Sequence, residues 1–83
     1  MTYFVYILQA EDGTFYVGHT HDLDDRLRRH QQGRSLATKS RSGWQLVHKK
    51  EFTTRVDAMR REREIKSQHR REYIEKLVRT SRT

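Results

Sequence analysis

Residues 3 to 10, YFVYILQA, carry aromatic and β-branched side chains at odd and even positions alike. A strand with one solvated face alternates apolar and polar residues, whereas apolar residues on both faces demand cover above and below. The fold must therefore place this strand inside a sheet, with a layer packed on either side. Eighty-three residues suffice for one such core and leave no room for a second folded unit. With only 33% of residues hydrophobic and 35% charged, a polar side chain at an inward position is informative, because stability is marginal and burying it is costly.

The remaining elements follow from punctuation. Glu11-Asp12-Gly13-Thr14 supplies turn chemistry, and Phe15 to His19 is the returning strand of a hairpin. Asp22 caps a helix from Leu23 to about Gln32, with Asp24 and Asp25 in its positive first turn and Gly33 at its left-handed stop. Leu23, Leu27 and His30 form its inner stripe. Residues 34 to 43 lack either periodicity and read as a basic loop. Trp44 to Phe52 is a third strand, and Thr54 with Asp57 opens a helix to about Ser67. A last helix near Arg70 to Arg79 presents Tyr73, Ile74, Leu77 and Val78 as a packing stripe. The expected domain is 1–83, ordered over about 3–79.

Charge narrows the partner. The net +7 is uneven: residues 1 to 33 hold three Lys/Arg against five Asp/Glu, and residues 34 to 83 hold fifteen against six. A basic half of this size suits a polyanion, most commonly a phosphate backbone, although a solvated basic surface has the same composition. The absence of cysteine excludes disulfides and thiolate zinc sites and fits a reducing compartment. No apolar run approaches the roughly 18 residues of a membrane span, and MTYFVYILQA lacks the marks of a signal peptide. A cytoplasmic location is expected.

Some residues fit a purely structural reading poorly. The spacing of Ala58, Met59 and Ile65 puts Glu62 in the same helical stripe, either inward or at its edge, paired with Arg60, Arg61, Arg63 or Lys66. Tyr6 and Tyr16 are core aromatics or members of a site, and hairpin register decides between these. A two-residue loop sets them on opposite faces. A three-residue loop, Glu11-Asp12-Gly13, pairs Leu8 with Tyr16 and Tyr6 with Gly18, so both phenols share one face and the glycine leaves space beside Tyr6. The three-residue register is the expectation. Arg26 borders the inner stripe of its helix, where a guanidinium offers paired donors to phosphate, and His30 lies one turn beyond. His19 and His21 have no acidic or cysteine partner at zinc-like spacing, so no metal is assigned to them.

The ordered set of these motifs resembles the GIY-YIG nuclease family, in particular its small single-domain bacterial members. Phe4-Val5-Tyr6 matches the first tripeptide at its tyrosine alone, and Tyr16-Val17-Gly18 matches the second more closely. Asp22-Leu23-Asp24-Asp25-Arg26-Leu27, then His30 and Gly33, then Ala58-Met59-Arg60-Arg61-Glu62 with Ile65-Lys66 follow in order, and the match spans residues 3 to about 78. The resemblance implies an α+β sandwich, a three-stranded antiparallel sheet flanked by about three helices. It further implies a metal-dependent endonuclease acting on DNA. Tyr6 would be the base for the attacking water, Tyr16 its assistant, Arg26 the phosphate holder and Glu62 the ligand of Mg²⁺ or Mn²⁺. Gly18, His30 and Lys66 are expected in support, and Lys39, Arg41 and Arg61 on the nucleic-acid surface. Homing, restriction and repair relatives carry a separate targeting domain, so a protein partner supplying targeting is a further expectation. The competing readings are a noncatalytic nucleic-acid binder and a subunit activated by a partner.

Overall fold

The computed structural model describes residues 1–33, 42–68 and 71–81. β1 (Tyr3–Gln9) and β2 (Phe15–Thr20) form the hairpin, followed by α1 (Leu23–Gln31), β3 (Gln45–Phe52), α2 (Arg55–Ser67) and α3 (Arg71–Ser81). The strands form one antiparallel sheet in the order β2-β1-β3. β1 is thus the central strand that its doubly apolar pattern requires.

Two clusters form because β1 presents different side chains to each face. Val5 and Ile7 pack with Val17, Ala58, Ile65 and Val78 beneath α2 and α3. Tyr6, Leu8 and Ala10 pack with Trp44 on the other face, against Leu23 and Leu27 of α1. Each β1 side chain from Val5 to Leu8 is at most 1% exposed. Register slips by one residue between Ile7 and Leu8 against β3, because Ile7 faces His48 while Leu8 faces Leu46. The intervening Val47 joins the cluster beneath α2, and Leu46 joins the opposite one.

Local chemistry sets the boundaries. The hairpin loop closes through Gly13 N–H to the Ala10 carbonyl at 2.9 Å, with Gly13 at φ 88°. That conformation favours glycine. Asp22 and Thr54 cap α1 and α2 by accepting the amide N–H groups of Asp25 and Asp57 at 3.1 and 3.2 Å. Gly33 follows α1 at φ 72°, as a helix stop requires. Three expectations need correction. Trp44 precedes β3 instead of opening it, α3 runs on to Ser81, and Met59 faces outward at 39% exposure. α2 rests on Ala58 and Ile65, and a 100° step per residue turns the neighbouring Met59 off that line.

Candidate active site

The three-residue loop decides the site. Tyr6 pairs with Gly18 and Leu8 with Tyr16, so both phenols project toward α1 with ring centroids 6.2 Å apart. His30, buried on the last turn of α1, completes the group. Its ring lies 4.7 Å from Tyr16 and 5.9 Å from Tyr6 between centroids, and Tyr6 Oη is 3.0 Å from His30 Nε2. Trp44 meets the far side of Tyr16 edge-on at 6.4 Å.

The space left by Gly18 is not open to a substrate, contrary to the expectation. Tyr6's own ring fills it: a Cβ on Gly18 would sit 2.7 Å from Tyr6 Oη and 3.1 Å from the Tyr16 ring. The phenol lies over the backbone of β2 there.

Burial is the main reason that the Tyr6 phenol lies well above the ordinary tyrosine value of 10.0; Tyr16 and the Glu62 carboxylate push the same way, and Arg26 opposes them. As base for the attacking water, Tyr6 would need neighbouring cations to favour its phenolate, and Arg26 alone does not offset the burial. Desolvation outweighs the guanidinium here because Tyr6 is 1% exposed. The His30 imidazole is held below its ordinary 6.5, first by burial and then by the charge of Arg26. It is therefore neutral through the physiological range, with a ring nitrogen facing the phenol.

Arg26 lies within electrostatic reach of both groups. Its Nε is buried and finds no hydrogen-bond acceptor among the described residues. An orphaned guanidinium N–H is costly unless an acceptor arrives, and a phosphate oxygen is the matching acceptor.

Glu62 projects from α2 at the edge of the apolar stripe, its side chain 20% exposed. Oε2 pairs with Lys66 Nζ at 3.4 Å, while Oε1 takes a bond from a residue passed over in the sequence, His19 Nδ1 at 2.9 Å. The two elements meet because His19 shares the α2-facing side of β2 with Val17. Period-2 alternation gave that side, but its partner lies 43 residues away, beyond any local spacing.

Arg61 is half-buried, ion-paired to Glu64 at 3.1 Å, and after burial itself is the next cause of a lowered His48 value. Lys39 and Arg41 lie outside the described residues. No group of three or more His, Cys, Asp or Glu that could hold a metal occurs among the described residues. The set around Glu62 still fits a hard divalent cation, which needs one or two carboxylates and takes its other ligands from water and substrate phosphate. Glu62 is open to solvent, and Lys66, 53% exposed, can swing away.

The GIY-YIG catalytic domain matches residues 2–76. The chain belongs to the GIY-YIG family. A UPF0213 protein of Halalkalibacterium halodurans is 39% identical over 72 residues, covering 86% of this chain and 77% of the relative. One from Staphylococcus epidermidis is 34% identical over 76 residues, covering 90% and 93%. The solution NMR structure of the UPF0213 protein from Bacillus halodurans superposes with a TM-score of 0.61 at 38% identity, covering 96% of this chain and 85% of that one. The α+β sandwich with a three-stranded antiparallel sheet is the GIY-YIG fold of that relative. GIY-YIG domains form a nuclease-type hydrolase family, which implies a nucleic-acid substrate. No helix among the described residues is long and apolar enough to cross a membrane.

Proposed function

We propose that the chain is a metal-dependent endonuclease that hydrolyses phosphodiester bonds of DNA in the cytoplasm. The observation that carries the reading is the Tyr6 Oη to His30 Nε2 contact of 3.0 Å, beside a buried Arg26 Nε without an acceptor among the described residues. A proton path and a vacant phosphate donor thus adjoin one another.

The raised value of Tyr6 makes it a poor terminal base. A relay avoids this difficulty. Tyr6 O–H donates to His30 Nε2, with the other imidazole proton on Nδ1, while Tyr6 Oη accepts a proton from the attacking water. The phenolate never accumulates, and His30 ends as imidazolium. The water oxygen forms the new bond to phosphorus, the bond to one ester oxygen breaks, and that oxygen takes a proton from solvent. Arg26 holds the non-bridging oxygens, where charge grows in the transition state. Tyr16, its ring tilted against His30 with centroids 4.7 Å apart, keeps the imidazole in line. Glu62 is the ligand for Mg²⁺ or Mn²⁺, which when bound supplies Lewis-acid stabilisation of the phosphate. Since Tyr6 is 1% exposed, a local shift of the site must admit the water.

Purified protein incubated with plasmid and branched DNA, with Mg²⁺, Mn²⁺ or chelator, tests the proposal. Nicking that requires metal and disappears in Glu62→Gln supports it. Salt-sensitive binding without nicking, unchanged in Glu62→Gln, is the signature of a noncatalytic binder. Nicking restored only by a second protein would identify a subunit that depends on a partner.

A further inference from the structure

We propose that His19 is a second protein ligand of the divalent cation, so that β2 and α2 together form a two-donor site of one imidazole nitrogen and one carboxylate oxygen. This rests on the reading that Glu62 binds the cation.

His19 Nδ1 and Glu62 Oε1 stand 2.9 Å apart. That is a hydrogen-bond distance, and it is also the spacing of neighbouring ligand atoms on one small cation. Two donors about 2.1 Å from an ion and at right angles to it lie roughly 3.0 Å apart. An ion can therefore replace the shared proton once the imidazole turns so that its Nδ1 lone pair points at the ion rather than at Oε1.

Accessibility agrees. The two side chains are 23% and 20% exposed, enough for an ion to arrive with part of its water shell. Both donors stand on regular elements, β2 and α2, which hold ligand positions better than loops do. Lys66 Nζ, 3.4 Å from Glu62 Oε2, shows that the carboxylate attracts a cation there, and the half-exposed lysine must swing aside for the ion to enter. His21, two residues on, is exposed beyond the end of β2 and takes no part.

Imidazole changes the ion preferred. A lone carboxylate suits Mg²⁺, whereas a nitrogen donor favours transition ions over it. The site should prefer Mn²⁺ to Mg²⁺.

The test uses the full chain with MnCl₂ alone at pH 8 and no nucleic acid. Free Mn²⁺ counted by electron paramagnetic resonance gives affinity, and electron spin echo modulation detects a directly bound ¹⁴N. Wild type should show nitrogen modulation. His19→Gln should abolish it and weaken Mn²⁺ binding by about tenfold, with Mg²⁺ binding, measured by competition, changing less than about threefold. His19→Ala serves as the second variant, and urea unfolding checks that each remains folded. Binding lost in Glu62→Gln but showing no nitrogen modulation in wild type overturns the proposal and leaves the nuclease reading standing. Mn²⁺ binding indifferent to Glu62→Gln overturns both.

Discussion

Tyr6 Oη lies directly over Gly18, so close that a single added methyl at residue 18 would meet it at 2.7 Å. The glycine is there to let the phenol lie over β2. Gly18→Ala must displace the buried Tyr6 ring and the partly buried Tyr16 ring, because the same methyl would also meet Tyr16 at 3.1 Å. It should destabilise the protein by about 1–3 kcal/mol, measured by urea unfolding. Cleavage should fall further than stability does, since the Tyr6–His30 contact moves with the ring. A stable Gly18→Ala with full activity would contradict this account.

Removing the Tyr6 hydroxyl should leave the fold intact and silence the chemistry. Tyr6→Phe keeps the ring packing and deletes one oxygen, so stability should change by no more than about 1–2 kcal/mol. Above pH 10 the sign reverses in favour of the variant. The native phenol resists ionisation above its ordinary value of 10.0, so the wild type loses stability as pH rises through that range and the variant does not. Alkaline unfolding followed by Trp44 fluorescence should show the wild type falling first.

His30 governs the acid side. Its folded value is depressed below 6.5 by burial and by Arg26. The unfolded chain therefore takes up the proton first as pH falls through 6.5, and this group's contribution to stability is lost from there downward. Activity should be level from pH 8 to 6.5 and drop below, since the relay needs neutral His30. A rate that already declines between pH 8 and 7 would exclude His30 as the terminal acceptor.

Arg26→Ala should lower the cleavage rate at least a hundredfold while DNA affinity changes less than about tenfold. On the proposed mechanism its guanidinium serves one phosphate, whereas affinity would draw on the whole basic surface. Arg26→Lys should recover little, because an ammonium cannot present the paired donors. Single-turnover cleavage and a binding isotherm at one fixed salt concentration separate the two effects.

Lys66 competes with a cation for Glu62 Oε2, at 3.4 Å. Lys66→Gln should therefore tighten Mn²⁺ binding about two- to fivefold, a modest gain because the lysine is half-exposed and its charge screened. Isothermal titration without DNA measures it.

The chain wrote its local structure into local residues. Alternation at residues 3 to 10 determined a central strand, Gly13 the three-residue loop, and Asp22, Thr54 and Gly33 the helix limits, because capping and turn chemistry act over three or four positions. The register that unites Tyr6 with Tyr16 was legible for the same reason. Only the tertiary structure could bring His19 to Glu62, His30 to Tyr6 and Trp44 to Tyr16, since these contacts join separate elements and depend on how each helix lies on the sheet. It also set the electrostatics of Tyr6. A base at this position needs cations to favour its phenolate, but burial depends on packing from every side, and at a site 1% exposed desolvation outweighs a single neighbouring guanidinium.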